Sequence, residues 1–385
     1  MTSKQTGLSR LLPIMFAFFA MGFVDMVGTA TNYAKADFAL SDTMANFLPS
    51  MVFLWFFFFS VPTGLLMNKI GKRKTVIISL IITSAAMVLP ICAYNYPVLI
   101  VSFCLLGIGN TLMQVSLNPL VNCIVTGDKL ASTLTFGQFV KAIASFIAPI
   151  IASLAAAKFG NWLLLFPFFL VFSIVATVYL SLTEIKEPAV KVESLSFFKC
   201  IKLLGDSSVL LFFLGIVCHV GIDVGVNTCA PKIIMERFAL PLEKAAFATS
   251  IYFLFRTIGC FAGSFILAKF PLKKFFAVSV ACMVLSMAGL FLCHTLTGLY
   301  VAIALVGFGN SNIFSMIFSS ALLYKPENDN EMSGLMIMGL IGGTIFPLLM
   351  GILSDAFASQ TGSVVVITAG VAYLIFLAAR FLKKA

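Results

Sequence analysis

Charge is what this sequence has least of. Charged side chains make up 10% of 385 residues, where an ordinary soluble domain carries about a quarter. A water-facing surface of normal size is thereby excluded. Histidine is nearly absent, with two in the chain. The nine cysteines are scattered, with no CxxC and no secreted-domain spacing. Nothing here can hold a metal or a disulfide framework, so no metal and no cofactor is expected. The cysteines read as small polarizable packing residues. No nucleophile–base–acid set and no appended soluble domain is present, so neither an enzyme nor a receptor is expected. No basic, aromatic-interleaved patch argues for nucleic acid.

What is there is apolar. Hydrophobic residues make up 61% of the chain, more than a soluble core absorbs before it splits into domains. Lipid is the solvent left for so much apolar surface. The length allows about twelve spans of roughly 20–25 residues, each helical because lipid offers no partners to backbone N–H and C=O groups. The spans expected are 11–35, 44–68, 75–95, 97–125, 131–158, 161–183, 207–231, 242–269, 273–294, 297–323, 331–358 and 362–382. The first follows Lys4 and Arg10 as a signal peptide does. Asp25 in its middle is wrong for a signal core, so it reads as a retained helix.

The formal charge of +10 sets topology. With the N-terminus inside, 18 of the 25 Lys and Arg fall in cytoplasmic segments, and five (Lys35, Lys158, Lys232, Arg237 and Lys244) fall outside. An inner-membrane, multi-pass protein with both termini cytoplasmic is expected. The most charged stretch, 184–206, lies near the midpoint and reads as a cytoplasmic linker, in part an amphipathic helix. It divides 1–183, an N-terminal six-helix bundle, from 207–385, a C-terminal one.

An offset of 200 residues exposes a repeat. Phe38-Ala39-Leu40 matches Phe238-Ala239-Leu240, and L-L-G-I-G-N-T at 105–111 matches L-V-G-F-G-N-S at 305–311. Six spans separate equivalents, so both copies run the same way. Two parallel six-helix halves are the layout of the major facilitator fold, an all-α membrane protein of twelve transmembrane helices with its site near the midplane. The G-x-G runs lack the third glycine of a dinucleotide fingerprint and follow no strand; small residues at a helix contact in lipid are the better reading.

The loop after span 2 reads G-L-L-M-N-K-I-G-K-R-K, from Gly64 to Lys74. It is similar to the major facilitator signature G-x-x-x-D-(R/K)-x-G-(R/K)-(R/K), a loop that gates conformation without touching substrate. Gly64 permits close helix approach and Gly71 the turn. Lys69, Lys72 and Arg73 meet carbonyl ends and anionic headgroups. Asn68 replaces the family's Asp, and with it the charge pair that latches the outward-open state in that family.

Ionisable residues inside a membrane are expensive and mark function. Four stand within spans: Asp25, Lys141, Asp223 and Arg256. His219 precedes Asp223 by one turn, on the same face. Asp25 and Asp223 sit at similar depths in equivalent helices and are the expected proton-coupling groups. Internal pairing, Asp25 with Lys141 and Asp223 with Arg256, is the competing reading, and the two are compatible. Gln114, Asn118, Gln138, Asn227, Asn310 and Asn312 complete the expected lining. Amides donate and accept at once, which suits hydroxyl-rich ligands; hydrogen bonding between helices is the alternative for each. The aromatic run at 55–59 reads as lipid-facing or core.

With these residues in hand, the chain resembles the fucose:proton symporter family of the major facilitator superfamily. The helix 4 run G-I-G-N-T-L-M-Q-V-S-L-N-P carries the likeness, with Asn118 and Pro119 matching the family's Asn-Pro. The resemblance implies that Gln114 stands where the family places a glutamate implicated in sugar binding and proton coupling. It makes Asp25 the nearest counterpart of the family's helix 1 acid, a few residues off in register. Gln138 matches a polar position, while Lys141 replaces an uncharged amide. A lost glutamate and a gained lysine move that wall by about two units of positive charge, which suits a sialic acid or a uronate. The expectation is proton-coupled symport of a monosaccharide or sugar derivative by alternating access, by a monomer. The site is expected from Gln114, Asn118, Gln138 and Lys141 on one side, and His219, Asn227, Arg256, Asn310 and Asn312 on the other. A multidrug or organic-anion transporter of the same fold, working by uniport or antiport, is the alternative.

Overall fold

The computed structural model describes residues 7–124, 129–185, 187, 201–266, 270–325 and 329–383. Twelve helices in it are long and apolar enough to cross a membrane: α1 (Leu11–Asp37), α2 (Asp42–Gly64), α3 (Lys72–Cys92), α4 (Tyr96–Val121), α5 (Phe136–Phe159), α6 (Trp162–Leu182), α7 (Ser207–Phe238), α8 (Leu242–Gly263), α9 (Leu272–Leu292), α10 (Leu296–Ala321), α11 (Gly334–Phe357) and α12 (Thr361–Arg380). Most ends agree with the expected spans to within a few residues. The exception is α7, which was expected to stop at Pro231 and instead continues to Phe238. Proline followed by Lys232 reads as an exit from lipid. The helix carries on because the ammonium of Lys232 is buried against Asp42 at 2.8 Å, so its charge is matched inside the protein.

The repeat is visible in the folding signals. Asn95 caps α4 by accepting from Val98 N–H at 3.0 Å, and Thr295 caps α10 by accepting from Gly298 N–H at 3.2 Å. The turns that follow α1 and α7 both contain an alanine of φ 49°, Ala39 and Ala239. The G-x-G runs seat α4 and α10 equivalently. A Cβ on Gly107 would lie 2.1 Å from the carbonyl oxygen of Val52, and one on Gly307 would lie 2.5 Å from that of Tyr252. Gly109 and Gly309 face Ser79 O and Ser279 O at 3.0 and 2.7 Å. These glycines are close-approach points between helices, as read from the sequence.

α1–α6 pack on one another and α7–α12 do likewise, and the two sets meet through α2 on α11, α5 on α8 and α1 on α7. One face of the bundle carries both chain ends (the terminus face); the opposite face carries the short turns at 38–41, 239–241 and 358–360 (the far face). Three crossings break near mid-depth: α1 tightens to a 3₁₀ turn at Gly22–Asp25, α11 does so at Gly339–Ile341, and α10 is interrupted by a turn at Ser311–Asn312. Mid-helix 3₁₀ turns of this kind often mark a hinge or functional position, and the first one carries Asp25. In the aromatic run, Phe56 is fully buried and Phe58 is 52% exposed. Of the linker, 201–205 is helical; the expected amphipathic stretch before it lies outside the described residues.

Candidate functional site

Arg256 is at the centre of the charged residues. Its guanidinium lies 3.1 Å from Oδ2 of Asp223 and 4.0 Å from Oδ2 of Asp25, so one cation on α8 faces an acid from each set of helices. The other oxygen of Asp223 accepts from the hydroxyl of Tyr252. Oδ2 of Asp25 accepts from Ser145 Oγ on α5 at 2.6 Å. The expected Asp223–Arg256 pair is formed, whereas Asp25–Lys141 is not. Among the described residues Lys141 has no carboxylate within the 4.0 Å of an ion pair, because Ser145 and Arg256 take the facing oxygen of Asp25. Two acids and two bases leave the group formally neutral.

A cavity of about 120 Å³ opens beside these charges, lined by Asp25, Gln138, Lys141, Ser145, Arg256 and Thr257, with Phe139, Phe253 and Phe261 supplying apolar walls. Arg256 lies over the ring of Phe253 at 5.8 Å, a cation–π contact that draws the guanidinium to that wall. Polar donors on apolar aromatic walls suit a ligand with both hydroxyl-bearing edges and C–H faces.

Other expected site residues lie elsewhere. Asn227 donates to the carbonyl oxygen of Asp25 at 2.9 Å; it can do so because Gly28 leaves room, a Cβ there falling 2.3 Å from its Oδ1. His219 Nδ1 meets Asn310 Oδ1 at 2.8 Å, and Asn310 donates to the carbonyl oxygen of His219 at 3.3 Å. Asn312 donates to the carbonyl oxygen of Gly259 at 2.7 Å. All four are buried and knit helices behind the cavity. Gln114 donates to Asn110 Oδ1 at 3.1 Å, and Asn110 to the carbonyl oxygen of Met21 at 2.8 Å, where α1 tightens. Asn118 is exposed on α4. Ser145 and Tyr252 were missed by the sequence reading. Each is four residues from a charge already singled out, Lys141 and Arg256, and so shares its face.

In the loop after α2, Gly71 has φ 94°, a conformation that costs glycine little. The N–H groups of Lys72 and Arg73 donate to the carboxylate of Glu187 at 2.6 and 2.9 Å. Arg73 also reaches the carbonyls ending α6, Leu180 at 3.2 Å and Ser181 at 2.6 Å, as expected of this basic cluster. Lys69 is exposed, and the side chain of Asn68 lies outside what is described.

The model of the family described as Major Facilitator Superfamily matches residues 14–339. A glucose/galactose transporter of Brucella abortus is 25% identical over 378 residues, covering 92% of this chain and 90% of that one. The L-fucose-proton symporter of Escherichia coli is 24% identical over 424 residues, covering 98% and 95%. The crystal structure of the E. coli fucose:proton symporter superposes with a TM-score of 0.70 at 18% identity, over 97% of this chain and 98% of that one.

Proposed function

Because the chain belongs to the major facilitator superfamily, a family of multi-pass membrane transporters and not of enzymes, we propose that it carries a sugar or sugar acid through the central cavity with a proton. The observation that carries this reading is Arg256 standing between Asp25 and Asp223 on the cavity wall. A cation shared by two acids that belong to different helix sets is parted from one of them when the sets move. The acid left behind is then free to take a proton or to release one, and that is how coupling is built. Asp25 is the proton-carrying group in this scheme, and residues 1–183 and 207–385 are the two bodies that rock about the site, joined by 184–206. The relatives named for glucose, galactose and fucose transport support a sugar solute.

An anionic sugar fits best. Lys141 lines the cavity with no carboxylate of the described residues in ion-pair reach, so its ammonium is available to a sialic acid or uronate carboxylate. Basic residues crowd the terminus face, which on the positive-inside rule lies in the cytoplasm of an inner-membrane protein; the working unit is a monomer. The formal neutrality of the four charges favours a second reading, exchange of organic anions without a proton.

Proteoliposomes decide between them. Asp25→Asn is expected to abolish proton-driven accumulation and to leave counterflow exchange intact. Full accumulation by that variant under an imposed pH gradient would remove Asp25 as the carrier.

A further inference from the structure

Away from the central site, a second charge cluster stands at the far face, beside an open cavity of about 1050 Å³. Asp42, the first residue of α2, is 7% exposed and is surrounded by the other helix set. Lys232 of α7 reaches its Oδ1 at 2.8 Å, and Gln360, just ahead of α12, donates to its Oδ2 at 2.8 Å. From its own side, Lys35 reaches Oδ2 at 2.7 Å. Lys232, itself 7% exposed, also donates to Asn46 Oδ1 at 3.3 Å. Asp355 of α11 accepts the backbone N–H of Asp42 and that of Thr43, each at 2.8 Å. One helix end thus has its free N–H groups satisfied by a carboxylate from the opposite set. The helices meet closely here: a Cβ on Gly351 would lie 2.6 Å from Cα of Thr43.

The internal repeat does not account for this cluster. At the 200-residue offset, Asp42 corresponds to Leu242, Lys232 to Asn32, Asp355 to Ala155 and Gln360 to Gly160. Where α5 meets α8, the equivalent corner, Ser153 donates to the carbonyl oxygen of Glu243 and no ion pair is formed among the described residues. Charge has been added on one side only, and apart from Lys35, which pairs with Asp42 inside its own set, it bridges the two sets. We propose that Asp42, Lys232, Asp355 and Gln360 form a latch that holds the far face shut and biases the solute-free transporter toward opening at its terminus face. Opening the far face parts Lys232 from Asp42 and Asn46, Gln360 from Asp42, and Asp355 from the start of α2, so five charge-assisted bonds are given up together.

Hydrogen–deuterium exchange of the purified, solute-free protein tests this with Lys232→Met and, separately, the near-isosteric Asp355→Asn. The expected result is exchange about tenfold faster in peptides covering 38–48 and 353–364, the effect of losing one bond to a charged group. Slower exchange is expected at the same time in 114–124 and 313–324, on the opposite face. The opposed signs separate a latch from mere fraying. Faster exchange confined to the far face, or no change at either face, overturns the proposal. If Lys232→Met does not yield folded protein, Asp355→Asn alone decides.

Discussion

Removing the guanidinium of Arg256 is the sharpest perturbation of the central site. Unit charges 3.1 Å apart attract by about 5 kcal/mol at an effective dielectric constant near 20. Desolvation opposes this, and the Arg256 side chain is 23% exposed, so the net coupling with Asp223 is expected at about 2 kcal/mol. Arg256→Gln leaves two acids facing Lys141 alone and should lower the thermal unfolding midpoint clearly. Asp223→Asn should lower it less, since Tyr252 still donates to that side chain. The double variant should recover part of the loss, because neither charge is then left without its partner. The same cycle with Asp25→Asn, at 4.0 Å, should return a smaller coupling. The readout is thermal unfolding of the four proteins in one detergent at one pH. Strict additivity of Arg256→Gln and Asp223→Asn would refute the shared-cation account, however large either single effect is.

Lys141→Gln separates the substrate classes: binding of an acidic sugar should weaken about tenfold or more for loss of one charge-assisted bond, with a neutral sugar nearly unaffected. Equal losses for both, by calorimetric titration, would mean that Lys141 serves the fold and not the solute. At the start of α7, Lys325 reaches Asp206 at 2.9 Å, and the N–H groups of Ser208 and Val209 donate to the same carboxylate. The Lys325 hydrogen bond, with those amides, holds Asp206 below the ordinary carboxylate range. A depressed folded value contributes stability above the ordinary carboxylate pKa and loses it as pH falls through the folded one. Asp206→Asn should therefore cost under about 1 kcal/mol at neutral pH, the site being partly open to solvent, and nothing at strongly acid pH. A cost that is constant across unfolding curves from neutral to acid pH would contradict this.

The crossings and the repeat were legible because each rests on a local signal. Lipid demands long apolar helices, and a copied half repeats its glycines and caps at a fixed offset. Gly107 and Gly307 illustrate this: their role as contact points follows from residue size alone, and the structure places them against a carbonyl of α2 and of α8 respectively. The charged residues were legible as a set for the same kind of reason, since an ionisable group in an apolar run stands out wherever it points.

Partnership was not legible, because it is settled by which helices meet. Pairing each acid with the base of its own half treats the halves as closed units. In the fold, Arg256 on α8 instead reaches Asp25 of α1 as well as Asp223 of α7, so it serves acids from both sets, and Lys141 is left without one among the described residues. Lys232 is the mirror case. As sequence, a lysine after a proline marks the end of a span, and only the arrival of Asp42 from the other set makes it affordable inside a helix. Both departures have one cause. A transporter built of two similar bundles places its costly charges at the joint between them, where opening and closing can change their partners. The residues hardest to assign from within either half are therefore the ones that the proposed alternating access would use.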